Sequence, residues 1–267
     1  MYLPLFTYEY TNNKPLSPKK EVSLVKYLKE NKENLIPINN FIFDSKSLQT
    51  PILLSKCLDC EKYQKENCCP GPPYSMPNYQ RKDLEPIVPN ILSFMPEGQI
   101  SDKILNNPQS VFTKGNSFTS KGNRENRCLF SFHHNNTSKC AIHLYCVTNN
   151  LNPIKYKPLI CSLFPLFAVH LPSDKIIFFC HNKETEPFSL YWYSLTQRPC
   201  VNTTTLNKIV NSQQPLKSKY LLSLNKDNII QDNIQKDYLP SWKSQESVLR
   251  YLLSDTTYDI LYDKLHH

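Results

Sequence analysis

The run Cys57-Leu58-Asp59-Cys60, then Glu61 to Asn67, then Cys68-Cys69-Pro70-Gly71-Pro72-Pro73, decides how this chain is read. A C-x2-C knuckle turns two thiolates toward one ion and leaves backbone amides nearby to support their charge. Two further cysteines close by strengthen the signal, because four neighbouring thiols without a metal are open to oxidation. Adjacent cysteines do not easily serve one tetrahedral site, so one of Cys68 and Cys69 takes a second ion or packs. The prolines and glycine at positions 70–73 predict a rigid turn that closes the block.

The chain holds ten cysteines in 267 residues. Its opening, Met1-Tyr2-Leu3-Pro4-Leu5 with Glu9 soon after, has no basic segment followed by an apolar one. A cytoplasmic chain is expected on that ground, and a reducing compartment keeps cysteines as thiols. Metal ligation then becomes the leading account of the cysteines.

Moving outward, Cys128, Cys140, Cys146, Cys161, Cys180 and Cys200 follow the first block. They stand in ordered motifs: Cys128-Leu129-Phe130, then Lys139-Cys140-Ala141-Ile142-His143, then Lys157-Pro158-Leu159-Ile160-Cys161-Ser162-Leu163-Phe164-Pro165. With the C-x2-C and Cys68-Cys69, this set resembles the YkgJ-like cysteine-cluster family, described as zinc- or iron-chelating. The resemblance spans residues 57 to about 181. The gap between Cys60 and Cys68 is longer than the family's CxxCxxCC pattern, and Lys157 stands where arginine is usual.

The resemblance implies Cys57, Cys60, Cys68, Cys69, Cys128, Cys140 and Cys161 as ligands, with Cys180 or Cys200 as the eighth. Cys180 completes the expected set, and Cys146 matches nothing in the pattern. His143 and His181 offer an alternative, since zinc accepts mixed Cys/His sites, although a hydrogen-bonded or surface histidine is the plainer reading of each. His133 and His134 fall in a polar loop. Phe164 and Pro165 read as packing that shields the cluster from water. The cofactor implied is zinc or iron, a 4Fe-4S cluster included. Softness favours both over harder cations, and spacing does not choose between them.

Around this centre the chain reads as α+β, with helices flanking a small irregular cysteine-cluster core and a short β-hairpin. Ser17-Pro18 starts a helix running to about Asn31, with Val22, Leu24, Val25, Tyr27 and Leu28 as its apolar face. Phe41 to Phe43 and Pro51 to Leu54 read as extended. Tyr79 to Leu92 is helical in short pieces limited by Pro86 and Pro89. Asn106 to Asn126 reads as an exposed loop, and Cys128 to Phe132 and Cys140 to Val147 as two short strands or turns. Lys157 to Phe164 is a helical turn. Leu166 to Leu171 and Ile176 to Cys180 alternate about the turn at 172–175 and form the hairpin. Residues 205–222 and 242–264 read as amphipathic helices, the second with Trp242, Leu249, Leu252, Leu253, Ile260 and Leu261 near one face. Three regions follow: an N-terminal helical segment at 1–54, a cysteine-cluster region at 55–202, and a C-terminal helical segment at 203–267.

Composition narrows the function. With 40% apolar residues the chain can build a core, and with four dispersed glycines it has neither a P-loop nor a dinucleotide fingerprint. The net charge of +8 is scattered, with no basic run and no basic-aromatic interleaving, so a nucleic-acid partner is disfavoured. No stretch suits a membrane span; the most apolar, Pro158 to Leu171, is broken by prolines and a serine. The expectation is a metal-binding cysteine-cluster protein. The alternative is a metal-dependent protein-modifying enzyme, with a protein substrate, since some relatives of this cysteine pattern are associated with flagellin lysine N-methylation.

Overall fold

The computed structural model describes residues 7–8, 14–53, 76, 78–96, 100, 102–112, 121–122, 127–134, 137–189, 191, 201 and 238–266. Helices and strands are mixed, compatible with the α+β class. The chain divides into two compact units. One comprises Met1–Glu9, Asn13–Cys57 and Leu163–His267, and the other Tyr10–Asn12 and Leu58–Ser162. The proline turn at 70–73 and the helix expected over 205–222 lie outside the described residues. Among those described, no helix is long and apolar enough to cross a membrane.

The first unit opens with strands β1 (Thr7–Tyr8) and β2 (Lys14–Pro15). Helix α1 (Pro18–Glu30) begins where expected. Proline is tolerated there because its missing N–H would have had no intrahelical acceptor. The buried face is Glu21, Leu24 and Tyr27, whereas Val22 is 70% exposed. Two residues from Leu24, Val22 lies about 200° round the helix and cannot share its face. Strands β3 (Leu35–Ile38) and β4 (Phe41–Asp44) form an antiparallel hairpin, with Asn39 in the turn at φ 53°. Helix α2 (Ser45–Leu48) and strand β5 (Pro51–Ile52) follow.

The second unit contains α3 (Asn78–Leu84), a 3-10 turn at Glu85–Ile87 and α4 (Val88–Ser93). Pro86 and Pro89 each stand at the start of a new piece, which is why this region is segmented. Helix α5 (Asp102–Leu105) and a 3-10 turn at Pro108–Val111 come next. This part of the expected loop is not simply exposed, since Val111 and Phe112 are buried in the core. Strand β6 (Lys121–Gly122) pairs with β7 (Arg127–Cys128), and β8 (Ser131–His134) with β9 (Thr137–Cys140). The run from Cys140 to Val147, expected as a short strand or turn, is instead largely helix α6 (Ala141–Thr148), which buries Ala141, Ile142 and Cys146. A short apolar run carries no periodicity that separates strand from helix. Helices α7 (Pro153–Tyr156) and α8 (Leu159–Leu163) complete the sequence, α8 being the expected helical turn.

The chain re-enters the first unit with β10 (Leu166–His170) and β11 (Ile176–Cys180), which pair antiparallel as expected. Among the described residues they are the centre of a six-stranded sheet of order β2-β1-β10-β11-β4-β3, in which only β11 and β4 run parallel. Central strands are covered on both faces, which explains their nearly continuous apolar sequence. Phe167 stacks on Phe179, and Phe178 on Phe43, each pair with ring centroids 5.4 Å apart. Tyr27 brings α1 onto Phe179 and Phe188.

Strand β12 (Leu239–Pro240) pairs with β5 and leads into α9 (Ser241–Ser244), α10 (Glu246–Leu253) and α11 (Asp255–His266). The single helix expected over 242–264 is thus broken at Gln245 and Ser254. Trp242, Leu249, Leu253 and Leu261 are buried, but Ile260 is exposed because the break resets the register of the apolar face. Arg250 spans the joint, with ion pairs to Glu246, Asp255 and Asp259 and its guanidinium over the Tyr258 ring.

Candidate functional site

Cys57, Cys60, Cys68, Cys69 and Cys200 lie outside the described residues. Cys128, Cys140, Cys146, Cys161 and Cys180 are thiols rather than half-cystines.

In the second unit, the β8–β9 hairpin places the chain around Cys128 beside the chain around Cys140. Ser131 is the cross-strand partner of Cys140, and the Ala141 N–H donates to the Phe130 carbonyl at 2.8 Å. Cys128 and Cys140 are half-buried and pack against one apolar core that includes Phe130, Phe132, Ala141 and Ile142. Cys146 is a full member of that core. Burial, and then the nearby Cys140, push its thiol up to about 11. A thiol so placed stays protonated and behaves as a small apolar group.

Cys161 is half-buried on α8, and its N–H donates to the Pro158 carbonyl at 2.8 Å. The start of α8 is fixed by Gln80 of α3, a fully buried glutamine. Its Nε2 donates to the carbonyls of Ile154 and Lys157 at 3.1 and 2.9 Å, and its Oε1 accepts from the Leu159 N–H at 2.9 Å. Nothing in the sequence marked this residue, since glutamine between Tyr79 and Arg81 looks like an ordinary exposed helical position.

His143 of α6 is half-buried. Burial, then the nearby Lys157, push its imidazole down to about 4, so it is neutral near pH 7 and offers a lone pair. The side chains of His133 and His134 are outside the described ones.

Cys180 and His181 belong to the first unit, both fully buried. The Cys180 thiol donates to the His181 carbonyl at 3.9 Å, and its N–H donates to Ser47 Oγ at 3.0 Å. Burial pushes the thiol up to about 12, against the hydroxyls of Ser241 and Thr50 that lie beside it. His181 Nδ1 is 2.8 Å from Ser189 Oγ, which also accepts the Tyr191 N–H at 3.1 Å. Its Nε2 is buried and has no hydrogen-bond partner among the described residues. Phe164, expected as shielding, packs edge-on against Tyr191 with centroids 5.0 Å apart.

Among the described residues no three His, Cys, Asp or Glu side chains come together as a metal-binding group. Four of the eight expected ligands are not among them. In comparisons with known protein families, curated proteins and solved structures, the chain matches none.

Proposed function

We propose that this chain binds zinc or an iron-sulfur cluster through Cys57, Cys60, Cys68, Cys69, Cys128, Cys140 and Cys161, in the manner of the YkgJ-like proteins it resembles. The observation that carries the reading is the order and spacing of these cysteines. Two local features support it. Cys128, Cys140 and Cys161 are half-buried cysteines of one compact unit, neither lost in the core nor fully in water. The hairpin also draws the chain segments bearing Cys128 and Cys140 side by side.

Cys146 and Cys180 are left out of the proposed set. Cys146, which matches nothing in the pattern, is fully buried, as is Cys180, the eighth ligand that the resemblance implies. His143, neutral and three residues after Cys140, is a nitrogen donor available to a mixed site.

The test is anaerobic purification of the full chain, with metal and labile-sulfide analysis of the wild type and of Cys57→Ser/Cys60→Ser. Iron with sulfide and visible absorption identifies a cluster, and colourless protein with stoichiometric zinc identifies a zinc site. The double variant should lose bound metal and stability together, because site formation and folding are linked. Metal content unchanged in that variant, or absent from the wild type, defeats the reading.

A further inference from the structure

We propose that Gln80 is a positioning residue for Cys161, holding the turn from which that thiol is presented; the inference rests on the reading of Cys161 as a metal ligand. The need for such a residue arises from Pro158. In α7 the Ile154 carbonyl would accept the N–H four residues on, but that residue is Pro158, which has none. Proline also forces the residue before it out of the helical region, and Lys157 is extended at φ −78°, ψ 142°. Two carbonyls and the N–H of fully buried Leu159 are therefore met from outside α7 and α8.

Gln80 matches this set group for group. Its two amide hydrogens go to Ile154 and Lys157 and its oxygen takes the Leu159 N–H, so both donors are used and the oxygen accepts from the backbone. The partners fix its orientation, since a flipped amide would face oxygen to two carbonyls. Glutamate lacks the donors, lysine lacks the acceptor, and asparagine is one methylene short. Two residues beyond Leu159, Cys161 takes its place from the same turn, with its own N–H and that of Ser162 both on the Pro158 carbonyl. Helix α3 thus reaches the backbone that carries Cys161.

The experiment compares the full-length wild type with Gln80→Met and Gln80→Glu in two measurements. In reduced, metal-free protein, peptide mass spectrometry follows alkylation of Cys161 against Cys140 as an internal reference. Under argon, Co(II) titration follows thiolate-to-cobalt charge-transfer absorption. Gln80→Met should raise the Cys161:Cys140 alkylation ratio several-fold and weaken Co(II) binding by about tenfold or more, the usual effect of losing an outer-shell support.

Gln80→Glu should resemble Gln80→Met near pH 8, where its carboxylate faces two carbonyls. Toward about pH 5 a carboxyl raised by burial takes a proton and donates again, so the ratio should return toward that of wild type at the same pH. A general loss of stability would not reverse in this way, and this profile decides the matter if Gln80→Met does not fold. A folded Gln80→Met with wild-type ratio and cobalt affinity, or a Gln80→Glu ratio insensitive to pH, overturns the proposal. Failure of the wild type to bind Co(II) defeats the metal-binding reading instead, and the metal-free alkylation ratio still reports on Gln80.

Discussion

His181 is buried with one ring nitrogen on Ser189 and the other without a partner among the described residues, beside the Tyr191 ring at 5.5 Å. Burial, then the charge of nearby Lys20, lower its pKa from 6.5 to about 4. The unfolded chain therefore takes up this proton first, and stability is lost as pH falls from about 6.5 to about 4. The full effect is about 3 kcal/mol at most. Asp44 responds in the opposite sense, because burial raises its carboxyl above the usual range and its ionisation destabilises the fold as pH rises. Comparing wild type with His181→Gln by urea denaturation cancels that contribution. The wild type should lose more stability than the variant between pH 7 and pH 4.5, and parallel pH dependences would contradict the assignment. Cys180, one residue earlier, meets Ser47, Ser241 and Thr50.

The joint between α10 and α11 shows what sets an element's boundary. Ser254 there has φ 83° and ψ 156°, a conformation ordinarily left to glycine. Its Oγ accepts the Thr257 N–H at 3.4 Å, a weak cap at the start of α11. Replacing serine by glycine at a cap costs only a few tenths of a kcal/mol. Relief of the strained backbone exceeds that, so Ser254→Gly should gain about 1 kcal/mol, read as a higher urea midpoint with unchanged slope. A lower midpoint would show that the serine hydroxyl matters more than the backbone.

The break at Ser254 was not legible in the sequence, because the apolar residues on either side of it keep helical spacing. Helix α1 was legible in Ser17-Pro18, and the β10–β11 hairpin in its alternation and turn. The parallel partnership of β11 with β4 was not, since pairing between distant strands leaves no local pattern. The same limit applies to the site. Cysteine spacing names the candidate thiols, whereas the support from Gln80 arises only once Pro158 leaves buried backbone groups to be met.

At the scale of the molecule, the two units carry separate cores, and the proposed ligands Cys128, Cys140 and Cys161 all lie in one of them. Stripping the metal with a chelator should therefore speed hydrogen exchange in α6 and the β8–β9 hairpin, while the amides of β10 and β11 keep their protection. Equal loss of protection in both units would argue against ligation by Cys128, Cys140 and Cys161. The parallel pair of β4 and β11 joins Ile42 to Ile177, and nearly the whole second unit is spelled out between them. On the ribosome β4 emerges long before its neighbour exists, so the intervening unit can close first while the β3–β4 hairpin waits with an unpaired edge. Completion of the central sheet is thus a late event of biosynthesis, and a nascent chain paused before β11 would present that edge to whatever binds exposed strands.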